Sequence, residues 1–157
     1  AWPRPSFRVR RRGRQTYPAR PERVAAYDRP MEHRELGRSG IAVSRIVLGC
    51  GNFGGIGSSR AHVGKGTPRE EAFRLLDAAW ELGITTLDTA DAYGLGRSEE
   101  YIGAWLGTRP EARDRAVIAT KTFNPMDEEA DHGLCAARIR RQAETSLPGA
   151  PTSLSRC

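Results

Sequence analysis

The sequence predicts an α/β fold in which parallel strands alternate with helices. Three observations carry that expectation. The runs Ile46-Val47-Leu48, Ile84-Thr85-Thr86-Leu87 and Ala116-Val117-Ile118-Ala119-Thr120 are short, apolar and β-branched, so they read as strands rather than helices. Helical patterns follow each of them, and strands alternating with helices imply parallel pairing with crossovers. Chemistry-bearing residues, Asp88, Tyr93 and Lys121, stand just past the second and third runs. Function gathers at the C-terminal ends of strands in folds of this kind.

Residues 1–30 stand apart from the rest. They hold nine Arg against two acids (net +7), with many Pro and no hydrophobic period. They read as a disordered basic leader. The chain begins with Ala rather than Met, and sequence of different character begins at Met31. The leader therefore reads as translated upstream sequence or part of a piece of a longer chain. Binding of RNA, membrane phosphates or a transport receptor by Arg8-Val9-Arg10-Arg11-Arg12-Gly13-Arg14 is the alternative, and a nucleic-acid role for Arg4–Arg29 would be marked by steep salt dependence. Residues 31–157 carry 16 Lys and Arg against 17 Asp and Glu. That near-neutral body builds no basic groove, so no specific nucleic acid partner is expected.

The body opens with a hairpin. Arg34-Glu35-Leu36 and Ile41-Ala42-Val43 flank Gly37-Arg38-Ser39-Gly40, a four-residue turn with glycine at both ends. The first parallel strand follows at 46–48, then a glycine-rich loop from Gly49 to Gly66. Thr67-Pro68-Arg69-Glu70 predicts a helix start, with Thr67 as cap and Pro68 in the first helical position. Ala72, Phe73, Leu76, Ala79 and Trp80 keep helical spacing, and Gly83 ends the helix. After the second strand, Ser98 to Leu106 predicts another helix. After the third, residues 124–134 form an acidic loop, and a last helix runs from Ala136 to Leu147 before Pro148 forbids its continuation.

Several motifs dissolve on inspection. Gly49-Cys50-Gly51-Asn52-Phe53-Gly54 matches G-x-G-x-x-G, but no helix opens within it, as a dinucleotide-binding turn requires. Gly64-Lys65-Gly66-Thr67 fails as a phosphate loop, because Ser59 stands where its first glycine belongs and Gly66 follows the lysine. Cys50, Cys135 and Cys157 form no pairable pattern. His33, His62 and His132 do not cluster, so no metal site is expected. No run approaches the ~20 apolar residues of a membrane span. No secretory signal is visible, which makes the cytoplasm the default location.

Asp88, Tyr93 and Lys121 are different because they act jointly. An ammonium at the mouth of a sheet needs a counter-ion, and Asp88 on the adjacent strand end supplies one. The same ammonium favours a tyrosinate at Tyr93, which lets the phenol serve as a general acid. Residue types and spacing alone leave two readings open: a proton-transfer site, or a strand-end ion pair beside a packed aromatic. A Schiff-base lysine at position 121 is a further alternative.

From Leu36 to Leu147 the chain resembles the aldo-keto reductases. The pieces are Leu36-Gly37-Arg38-Ser39-Gly40 with Val43-Ser44, Leu48 to Gly54, Asp88-Thr89-Ala90-Asp91-Ala92-Tyr93-Gly94, Gly96-Arg97-Ser98-Glu99-Glu100 with Gly103, Ala119-Thr120-Lys121, and Ile139-Arg140 with Glu144, Ser146 and Leu147. The resemblance implies a partial TIM (β/α)8 barrel, namely the hairpin and about three βα units. It implies reduction of small aldehydes and ketones to alcohols with NADPH and no metal. Tyr93 matches the general acid, Lys121 the lysine whose charge assists it, and Asp88 the aspartate that orients the lysine. Gly51, Asn52 and Phe53 match the first-strand loop near the nicotinamide, and with Asp88 form the expected cofactor contacts.

The resemblance also sets limits. The family's catalytic His ends a fourth strand, and His132 precedes the third helix, so it is no substitute. The expected organisation is a leader at 1–30, the reductase-like part at 31–147 and an unrelated tail at 148–157, with the reading frame departing near Leu147. Three βα units leave two open strand edges and an uncovered face. The chain alone is therefore expected to self-associate and to be inactive with NADPH. A non-catalytic interaction or regulatory module is the second reading.

Overall fold

A computed structural model describes residues 30–124 and 133–146. The leader up to residue 29, His132 with most of the acidic loop, Leu147 and the 148–157 tail lie outside the described residues. Within them the order is a hairpin and then three strand–helix units. The hairpin strands are β1 (His33–Glu35) and β2 (Ala42–Ser44), paired antiparallel. The Leu36 amide donates to the Ile41 carbonyl at 2.9 Å and closes the turn. Gly37 and Gly40 take positive φ there, which explains a glycine at each end.

Strands β3 (Val47–Gly49), β4 (Thr86–Asp88) and β5 (Val117–Ala119) form one parallel sheet in that order. Leu48, Leu87 and Ile118 are register partners across it, as are Gly49, Asp88 and Ala119. Each strand is three residues long: β4 and β5 are shorter than their apolar runs, and β3 is shifted one residue past its own. The middle strand is the buried one, while β3 and β5 each leave one edge unpaired among the described residues.

Helix α1 (Arg69–Glu81) follows the glycine-rich loop, in which Arg60–His62 makes one turn of 3-10 helix. The expected Thr67 cap does not form. Pro68 is the N-cap residue and no side chain caps the helix. Thr67 is committed elsewhere: its amide donates to Asn52 and its carbonyl accepts from Gly54, in a parallel bridge to Phe53. The other end behaves as read. Gly83 (φ +80°) donates to Trp80 and Ile84 to Ala79, both at 2.9 Å, the paired closure of a Schellman motif.

Helix α2 (Arg97–Gly107) starts one residue before the expected Ser98 and takes in Gly107. A single helical turn, α3 (Pro110–Arg113), was not anticipated, although Pro110 at its first position is a recognised start. Helix α4 (Ala136–Ser146) agrees with the expected span as far as the described residues go.

The core fills the space between the sheet and α1–α3. It comprises Cys50, Phe53, Ala72, Leu76, Leu87, Ile102, Trp105, Leu106, Ala112 and Ala116. The Trp80 and Trp105 rings meet edge to face, 5.8 Å apart at 66°. The Trp105 indole also donates to Asp77 at 2.9 Å, so its N–H is satisfied. The hairpin is fastened to the sheet by Ser44, which is buried. Its hydroxyl accepts from the Thr85 and Thr86 amides (3.2 and 3.1 Å) and donates to the Ile46 carbonyl (2.7 Å).

Candidate active site

The site grows out of the C-terminal ends of β3, β4 and β5. The parallel ladder continues past the strands: Cys50 donates to Asp88 (2.8 Å), Thr89 to Ala119 (2.8 Å) and Asp91 to Lys121 (3.1 Å). These bonds set Asp88 and Lys121 side by side. The Lys121 ammonium lies 2.8 and 2.9 Å from the two Asp88 carboxylate oxygens. It also donates to the Thr89 carbonyl at 2.6 Å. The Tyr93 ring completes the group, with the ammonium 5.0 Å from its centroid, within the range of a cation–π contact.

This pair is half-open rather than sunk in the sheet. The Lys121 and Asp88 side chains are 49% and 39% exposed, which leaves room for a ligand to reach them. Partial burial pulls the Lys121 pKa down. The hydrogen bond and charge of Asp88, with Tyr93 adding to them, outweigh that and hold it above the usual lysine value. The neighbouring Cys50 is fully buried and its thiol is pushed up to about 12, first by desolvation and then by the Asp88 charge. It is therefore a neutral packing residue at physiological pH, not a nucleophile.

Tyr93 is carried by a tight loop. The Ser98 amide donates to the Tyr93 carbonyl at 3.3 Å, and Gly94 (φ +59°) donates to Gly57 at 3.0 Å. Here the glycine-rich loop finds its reason. A Cβ on Gly55 would stand 2.7 Å from the Gly94 Cα, so the two loops touch backbone to backbone. A Cβ on Gly51 would sit 3.6 Å from the Tyr93 ring, and one on Gly49 would meet nothing within 4 Å. Of the four expected cofactor contacts, Gly51 and Asp88 adjoin the Tyr93–Lys121 group and Asn52 is exposed. The Phe53 side chain is 3% exposed and belongs to the core, so only its backbone is left to meet a ligand.

Three further residues shape the site, and position alone did not disclose them. Ser98, fully buried, donates to the Cys50 carbonyl (2.9 Å) and pairs with the Thr89 hydroxyl (2.8 Å). Glu99 accepts from Thr120 (2.6 Å) and Ser146 (3.0 Å). Arg138, buried within α4, donates to Thr122 (2.7 Å) and to the Asn124 and Gly133 carbonyls (2.6 and 3.1 Å). Their signal was the short polar Ser98-Glu99-Glu100 run and an arginine at an inward helix position. Each is an ordinary helix-surface residue until its partners are known. Among the described residues, no group of three or more His, Cys, Asp or Glu is placed to hold a metal. No helix among them is long and apolar enough to cross a membrane.

Residues 45–152 match the model of the Aldo/keto reductase family. The chain belongs to that family. An uncharacterized oxidoreductase of Bacillus subtilis, YrpG, is 37% identical over 74% of this chain and 36% of its own length. Versiconal hemiacetal acetate reductase of Aspergillus parasiticus is 39% identical over 64% of this chain and 28% of its own. Among solved structures, an aldo-keto reductase of Bacillus halodurans in its holo form superimposes with a TM-score of 0.58 at 32% identity. That match covers 76% of this chain and 36% of the other. The chain thus spans about a third of the length of the curated relatives it matches.

Proposed function

We propose that the Asp88–Lys121–Tyr93 group is the proton-transfer centre of an NAD(P)H-dependent carbonyl reductase, converting aldehydes or ketones to alcohols. The observation that carries this reading is the Lys121 ammonium, held by both Asp88 oxygens and the Thr89 carbonyl beneath the Tyr93 ring. The nicotinamide cofactor would deliver hydride to the carbonyl carbon. Tyr93 would give its proton to the carbonyl oxygen, the tyrosinate left behind being stabilised by Lys121. Asp88 fixes the lysine and keeps it charged. The open space at Gly49 and the exposure of Asn52 and Lys121 are compatible with a flat ring reaching this group. Gly51, Asn52 and Asp88 would line its approach. The full barrel, NADPH rather than NADH, and the substrate class belong to the same proposal.

The test is carbonyl-dependent NADPH oxidation with small aldehydes, measured for the chain itself. It is measured again with residues 31–146 grafted in place of the matching part of the Bacillus halodurans relative. Tyr93→Phe is expected to lower turnover by about 10²–10⁴-fold. Undiminished turnover in that variant would sink the assignment. Alone, the chain is expected to bind NADPH weakly, because β3 and β5 carry unpaired edges among the described residues. A saturable titration that raises the melting temperature would overturn that second expectation.

A second reading draws on the same edges. Val47, Phe123 and Ile139 are 46%, 56% and 43% exposed at or near them. Such a surface favours assembly with another copy or a homologous chain. Light scattering that reports a monomer at every concentration would remove this reading.

A further inference from the structure

Lys121 lies two residues beyond the end of β5, where the backbone of the sheet is held by the single bond from Asp91 to its carbonyl. Its neighbour Thr120 does not share its direction, since successive side chains of an extended segment point to opposite sides. The Thr120 hydroxyl reaches back to α2 and donates to Glu99 Oε1 at 2.6 Å. The other oxygen, Oε2, accepts from the Ser146 hydroxyl in the last turn of α4 at 3.0 Å. One carboxylate therefore ties the strand end that bears the lysine to two helices at once. Glu99 sits in the first turn of α2, where the helix dipole favours negative charge. Bonds to an ionised acceptor are also shorter and stronger than neutral ones.

We infer that Glu99 is a positioning residue of the proposed reductase site, setting the Lys121 ammonium against Asp88 and Tyr93 by anchoring Thr120. The inference rests on the reading of Asp88, Tyr93 and Lys121 as the reacting group. Glu99 itself touches none of these side chains through any of its bonds to Thr120 and Ser146. It fixes where the strand end stops, and the ladder bond from Asp91 to the Lys121 carbonyl then fixes the lysine. The ammonium faces Asp88, Tyr93 and the Thr89 carbonyl, and its charge also reaches the buried Cys50 thiol.

The sequence supplies a direct probe. It contains only two lysines, Lys65 and Lys121. Acylation of the free amine, followed site by site by mass spectrometry across alkaline pH, reads Lys121, while the exposed Lys65 reports reagent dose. Each unit by which the Lys121 pKa falls raises its reactive fraction about tenfold. Glu99→Ala is expected to speed Lys121 labelling about threefold, half a unit on that scale, with Lys65 unchanged. Glu99→Gln should restore the original profile, because an amide can accept from one hydroxyl and donate to the other. Thr120→Val tests the same link while the acid stays in place, and should reproduce Glu99→Ala. Folded Glu99→Ala and Thr120→Val variants with the original Lys121 profile would overturn the inference. So would a Glu99→Gln variant that behaves like the alanine. Labelling requires no turnover, so it separates the two ideas. A perturbed Lys121 in the chain, with a grafted enzyme that binds NADPH yet reduces no carbonyl, would sink the reductase reading and leave the role of Glu99 in placing the lysine standing.

Discussion

Gly55→Ala isolates the contact on which Tyr93 depends. Gly55 does not have a positive φ, so the substitution adds no backbone strain of its own. Its cost is one methyl group placed 2.7 Å from the Gly94 Cα, 3.3 Å from the Gly94 nitrogen and 3.5 Å from the His62 carbonyl oxygen. Carbon atoms prefer separations of about 3.5–4.0 Å. The Gly94 backbone must therefore retreat by roughly 1 Å, and Tyr93 is the adjacent residue. Overpacking of this kind costs about 1–3 kcal/mol. A misplacement near 1 Å at a reacting group can cost about 10²-fold in rate. Urea unfolding followed by fluorescence of the core tryptophans reads the first quantity, and turnover of the grafted enzyme reads the second. An unchanged midpoint together with unchanged turnover would refute the claim that the two loops meet backbone to backbone.

Gly107→Ala makes the opposite case: it is helical, its Cβ would meet nothing within 4 Å, and it should gain about 0.5–1 kcal/mol in the same urea assay. Ser44→Ala strips the buried acceptor shared by the Thr85 and Thr86 amides and should cost about 1–3 kcal/mol, with a fall in the urea midpoint as the measure. Iodoacetamide at mildly alkaline pH should modify the exposed Cys135 and spare Cys50, as peptide mapping would show. Burial raises the Cys50 thiol from 9.0 to about 12. The native state therefore holds a proton that the unfolded chain releases. This contribution to stability is complete below 9.0 and declines as pH rises toward 12, by about 1.4 kcal/mol per pH unit at most. The raised Lys121 pKa acts in the same direction at high pH, so flat melting temperatures across that window would contradict both.

The parallel order of strands and helices was legible because burial writes itself into sequence: Leu48, Leu87 and Ile118 are apolar since they face the core. The site was legible for a related reason. Ladder bonds carry Asp88 and Lys121 to adjacent strand ends, so their meeting follows from where each apolar run stops. What the sequence hid were long-range polar contacts. Thr67 looks like a helix cap, but Asn52 and Gly54 claim its backbone in a bridge that no local pattern announces. Arg138 looks like a solvated helix residue until the loop after β5 folds over it. The resemblance set Phe53 in the loop beside the ligand, and its side chain follows its own hydrophobicity into the core.

The Trp80–Trp105 pair has an optical consequence. Two indoles 5.8 Å apart at 66° couple their transitions, because neither parallel nor distant chromophores would give a comparable rotational strength. One belongs to α1 and the other to α2, the helix whose first turn holds Ser98 and Glu99. Circular dichroism of the aromatic bands therefore gauges whether the two helices behind the strand ends are docked. The signal is native to the chain and needs neither label, cofactor nor turnover.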